Sequence, residues 1–141
     1  MIAIFLTILF NSIMLTPEPW DDTVTIYLRI SDSLNNKSHL SQEELTAFLE
    51  SVPKDTDVEL SQMWNELLFG ILTQYPMETA ETISTLKFDQ KRNIFRELQT
   101  PVADNIDINE TYESVKSILP KRRCVVNRIC HSLNIAKLKL N

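Results

Sequence analysis

A single glycine, Gly70, in 141 residues limits what this chain can fold into. Tight hairpin turns and β-bulges draw on glycine, or on Asn-Gly and Asp-Gly pairs, to reach positive φ without steric cost. Neither pair occurs here. Six prolines punctuate the chain instead. Proline cannot donate an i→i−4 bond, so it closes helices or begins them. The expected fold is all-α: about six or seven short helices, arranged as stacked antiparallel hairpins loosely like helical repeats, or as an irregular bundle. The proline spacings differ and the segments do not align with one another, so no repeat is demonstrated.

The helices can be read from their ends. Asp21 or Asp22 caps the first, which turns Val24, Tyr27, Leu28 and Leu34 inward and stops at Asn35-Asn36-Lys37-Ser38. Ser41 and Glu44 make a capping box, with Leu40 and Leu45 as a hydrophobic staple and Pro53 as the stop. Thr56 and Glu59 repeat the box. The helix after them carries Leu60, Met63, Trp64, Leu67, Leu68 and Ile71, a stripe broad enough to predict the central helix. It ends at Tyr75-Pro76, and a shorter helix follows with Ala80 and Ile83 inward. Asp89 is expected to cap the next, with Ile94, Phe95 and Leu98 inward as far as Thr100-Pro101. Asp107 and Glu110 open another, with Ile108, Tyr112, Val115 and Leu119 inward until Pro120. The last runs over 122–139, with Val126, Ile129, Cys130, Leu133 and Ala136 as its apolar stripe.

Residues 1–19 stand apart. Ile2–Leu15 is apolar except for Thr7, Asn11 and Ser12. As a helix it would span roughly 21 Å, short of the ~30 Å of bilayer hydrocarbon. That length suits the apolar core of a secretory signal. The flanks fit less well: no Lys or Arg precedes the run, and Pro17 and Pro19 crowd the junction. A first core helix and an uncleaved anchor are the alternatives. Residues 20–141 then form a single helical domain, and the chain is read as exported, periplasmic or secreted.

The net charge of −5 conceals a division. From Lys121 onward there are six basic residues (Lys121, Arg122, Arg123, Arg128, Lys137 and Lys139) and no acid. All 19 acidic residues precede them. The simplest reading docks the basic helix on its own acidic domain. The others give it an acidic protein partner or an anionic membrane surface. Nucleic acid is not an expected partner, because the acidic body would repel phosphates and no aromatic residue lies in the basic stretch.

Reactive residues are few. Cys124, Cys130 and His131 are too few for structural zinc, which needs four ligands. Cys124 and Cys130 form a candidate disulfide if the domain is exported. On one helix, however, they would lie roughly 9 Å apart along the axis, beyond the ~7 Å a bridge spans. Glu66, on an apolar helix, is the least explained acid, and the sequence gives it no acid–base partner. No catalytic, cofactor or metal signature is found. The expectation is a non-catalytic protein-binding module, with an envelope inhibitor or immunity-type protein and a membrane-surface protein as alternatives. Trp20, Arg122, Arg123, Arg128, Lys137 and Lys139 are its candidate interaction surface.

Overall fold

Short pieces of local chemistry set the helix boundaries, and a computed structural model describing residues 21–53 and 57–140 shows where they fall. Among those residues there are seven helices and no strand: α1 Asp21–Asn36, α2 Gln42–Glu50, α3 Val58–Gln74, α4 Pro76–Thr85, α5 Phe88–Glu97, α6 Ile108–Lys116 and α7 Arg123–Leu140. The expected all-α class is met. None of the seven is long and apolar enough to cross a membrane. The apolar segment within 1–19 and Trp20 lie outside the described residues.

Several ends form as anticipated. The Ser41 hydroxyl accepts from the Glu44 N–H at 3.1 Å, and the Asp107 carboxylate accepts from the Glu110 N–H at 3.0 Å. Leu40 and Leu45 are both buried, which completes the staple. Pro76 opens α4 at a position whose missing N–H would have had no helical partner.

Other ends differ from expectation. The reciprocal half of the Ser41 box is replaced, since the Glu44 carboxylate pairs with Arg29 of α1 at 3.1 Å. α3 is capped by Asp57, which accepts from the Leu60 N–H at 3.2 Å; Thr56 lies outside the described residues. α5 begins two residues early, at Phe88, with Lys87 as its cap and the Gln90 side chain accepting from the Lys87 N–H at 3.2 Å. Asp89 therefore sits in the first turn, where a carboxylate favours the positive end of the dipole.

The chain makes its left-handed turns without glycine. Lys37 (φ 51°) ends α1 and Arg122 (φ 51°) precedes α7. Around Lys37 the Ser38 N–H bonds back to the Ser33 carbonyl at 3.1 Å, a Schellman-type closure. Gly70 serves a different purpose, close approach: a Cβ there would lie 2.9 Å from Leu34 Cδ1, where α1 crosses α3.

The core joins all seven helices. α3 packs on α1, α4 and α6, while α4 also reaches α2, α6 and α7. Several strong neighbours are thus not consecutive in sequence, as in a bundle or a stack of helical hairpins. At one end Tyr27 meets Phe48 edge-on (5.7 Å, 71°) and Phe48 stacks on Trp64 (5.5 Å, 23°). The Trp64 indole N–H donates to the Phe48 carbonyl at 3.0 Å, and the Tyr27 hydroxyl donates to the Ser51 carbonyl at 2.8 Å. The free carbonyls at the end of α2 are thereby satisfied from α1 and α3. Burial pushes the Tyr27 phenol well above its ordinary pKa.

Asn65 is the polar exception in the middle of α3. It is fully buried, and its amide nitrogen donates to the Glu97 and Thr100 carbonyls (3.2 and 3.4 Å) and to the Glu97 carboxylate (3.2 Å). Its oxygen accepts from the Val102 N–H at 3.2 Å. One side chain therefore holds the end of α5 and the start of the loop to α6. A buried amide left without these partners would cost about 1–3 kcal/mol for each group stranded.

Some expected inward positions are only half-buried. Leu28 and Leu34 lie at the edge of the α1 stripe, whose centre is Val24, Tyr27 and Ile30. Leu119 is 37% exposed because α6 ends at Lys116 and the chain turns before Pro120.

Candidate functional site

α7 carries most of the candidate interaction residues, and its inner face explains how they are presented. Val126, Ile129, Leu133 and Ala136 are buried against the rest of the molecule. Docking by this stripe, at roughly 25 cal/mol per Å² of apolar surface, needs no help from charge. It turns Arg123, Cys124, His131 and Lys139 outward, with Arg122 exposed just before the helix.

The cations do not bind the acidic body as the charge division suggests. Among the described residues the ion pairs are Arg29–Glu44 and Arg92–Asp89, and neither involves α7. Two α7 cations lie over aromatic rings instead. The Arg128 guanidinium sits 4.8 Å from the Phe95 ring centroid of α5. Lys137 Nζ sits 4.4 Å from that of Tyr112 on α6, which Lys116 approaches at 5.8 Å. The ring face offers partial negative charge without a carboxylate's desolvation cost, worth about 0.5–1 kcal/mol at exposed sites. Apolar packing with cation–π contacts at the flanks thus replaces the expected electrostatic docking.

The candidate disulfide is not formed. Cys124 and Cys130 are free thiols on the same helix, the first exposed and the second half-buried. The helix itself holds them apart, as its rise and rotation require. Cys130 also lies on the α6-facing flank instead of the stripe centre, and burial raises its thiol pKa.

A cleft of about 270 Å³ opens between the end of α1, the second half of α3 and the start of α6. Leu34, Phe69 and Ile106 supply apolar lining, and Glu66, Asp107 and Glu110 supply carboxylates. Burial raises the Glu66 carboxyl above its ordinary value. Asp107 is occupied as the α6 cap. The nearby Thr73 and Thr111 hydroxyls bond each other at 2.7 Å. The cleft thus brings an acid of raised pKa beside groups already engaged, with no described nucleophile–base pair. No group of three His, Cys, Asp or Glu among the described residues is placed to hold a metal ion.

Sequence reading missed Asn65 and the part played by Phe95 and Tyr112. Tyr112 was recognisable as inward from its spacing, but its use as a cation platform depends on which helix lies beside it. No family model matches the chain, and no curated protein or solved structure matches it either.

Proposed function

We propose that this is a small exported, non-catalytic helical module that binds another protein, with the outer face of α7 as part of its contact surface. One observation carries the reading. The molecule has an acidic surplus, yet the cations of α7 are left without carboxylate partners among the described residues. Unneutralised cations on a rigidly packed helix are available to an outside partner and steer its approach. Export rests on the apolar run Ile2–Leu15 alone.

Cross-linking in the native host, followed by mass spectrometry of the purified protein, tests both parts. The expected result is a chain starting after Leu15, with a protein cross-linked through residues 121–140. A chain retaining Met1 overturns a cleaved export signal. Cross-links confined to α1–α4 overturn the assignment of the surface.

A membrane-surface role is the second reading, favoured by Leu138 and Leu140 at 76% and 68% exposure beside Lys137 and Lys139. Against it, the apolar stripe that an interfacial helix would offer to lipid is already buried in the protein.

A further inference from the structure

The fold adds a second set of cations to the first. α5 and its cap carry Lys87, Lys91, Arg92 and Arg96 against Asp89 and Glu97. This helix packs on α7, with Arg128 over Phe95 at the junction. Residues 87–97 and 121–141 together hold 10 of the 14 basic residues and 2 of the 19 acidic ones; everything else holds 4 and 17. Two segments separated in the chain therefore hold most of the basic charge of an otherwise acidic molecule, and they meet where Arg128 lies over Phe95. Phe88 stands at the start of α5 beside Lys87, 69% exposed, with Arg92 one turn further along.

We infer that the α5–α7 side is a docking surface for an acidic protein partner, with Phe88 as its apolar anchor and Arg92, Arg96 and Arg128 as its charged contacts. This rests on the protein-binding reading and adds the second helix, the anchor and the partner's chemistry. That partner presents carboxylates around an apolar recess. Aromatic residues and arginine are the types enriched in protein interfaces and their hot spots. Five of the ten cations are arginine, whose planar fork pairs bidentately with carboxylates. A lipid surface would need a free apolar helix face, and α7 has none to give. The opposed charges of the two sides orient an acidic partner toward α5 and α7 during encounter.

The test uses the full chain in anisotropy titrations with two fluorescein-labelled peptides, one of alternating Glu and Leu pairs and one with Ser in place of Leu. Vesicles of equal parts phosphatidylserine and phosphatidylcholine serve as the lipid probe. The Leu-bearing peptide binds tighter, by about tenfold for a buried apolar anchor. Phe88→Ser removes that preference while leaving the Ser peptide unaffected. The double variant Arg92→Glu/Arg96→Glu weakens both peptides by about tenfold or more, as does raised salt. All three side chains are exposed, so dichroism melts should match the parent protein.

Equal affinity for the two peptides, or indifference to Phe88→Ser, overturns the anchor. Binding to vesicles but to neither peptide overturns the choice of a protein partner. Sedimentation showing a dimer of the chain alone, lost in Phe88→Ser, overturns it in favour of a second copy. If these titrations fail while native cross-links still fall on residues 121–140, only this inference is lost. If the cross-links fail as well, the broader reading goes with it.

Discussion

The aromatic end of α1–α3 and the basic side of α5–α7 are both held by rings, but in opposite ways. Around Phe48 the rings are interior, and every polar group they carry is matched: the Trp64 N–H and the Tyr27 hydroxyl each reach a backbone carbonyl. On the α5–α7 side Phe95 is buried and Tyr112 half-buried, and each ring presents its face to a cation in place of a directional bond. The first arrangement uses directional bonds to fix helix ends. The second relies on an apolar stripe beneath and leaves its polar surface uncommitted. Stability is therefore expected to reside in the first region and recognition in the second.

Breaking the closed region should produce the largest effects. Trp64→Ala removes a buried ring, its stack on Phe48 and a carbonyl partner, and should cost about 3–5 kcal/mol. A fall in the urea midpoint at unchanged slope would show it; a loss below about 1 kcal/mol would contradict the closed picture. Asn65→Ala strands the Val102 N–H and two carbonyls, with an expected loss of about 2–3 kcal/mol. Faster hydrogen exchange at Val102 is the local signature.

Alkali probes the same region from another side. Because the folded state raises the Tyr27 pKa above its ordinary 10.0, folding favours the neutral phenol. Its contribution is complete below pH 10 and is lost as pH rises above it, by up to ~1.4 kcal/mol per pH unit. Tyr27→Phe should flatten that alkaline decline while losing about 1 kcal/mol at neutral pH with the bond to Ser51.

The open region should respond weakly. Lys137→Ala is expected to cost only about 0.5–1 kcal/mol through its contact with Tyr112. Since apolar packing holds α7 down, raising salt to about 1 M should leave exchange protection over Val126–Ala136 intact. Loss of protection there would restore the electrostatic docking that the charge division first suggests. An equally small effect of opposite sign is expected at Lys37, whose left-handed backbone favours glycine: Lys37→Gly should gain about 0.5–1 kcal/mol in thermal melts.

Local features were legible in the sequence because their causes are local. Ser41 and Asp107 cap the N–H three residues on, and Pro76 begins its helix, wherever those helices later pack. The stripe of α3 likewise announced a helix with several neighbours. Errors of one or two positions arose where two capping types adjoin in the sequence, as Thr56 and Asp57 do, or where Gln90 serves in place of a conventional cap. Partnership between distant segments was not legible. Periodicity gives each helix an inner face but not the identity of what fills it. Asn65 reads as one polar interruption until α5 lies across it, and the cations of α5 look ordinary until α7 is beside them. The candidate surface was therefore seen only by half.

The Phe48 carbonyl receives three donors: the Ser51 N–H at 3.1 Å, the Ser51 hydroxyl at 2.7 Å and the Trp64 indole at 3.0 Å. One oxygen thus ties the end of α2 to α3, and the Tyr27 bond to the Ser51 carbonyl brings in α1 alongside. Fraying of α2 from that end would have to loosen both neighbours in the same event. Backbone amides of α1, α2 and α3 near it should accordingly exchange as one cooperative block, at a rate set by opening of the entire domain.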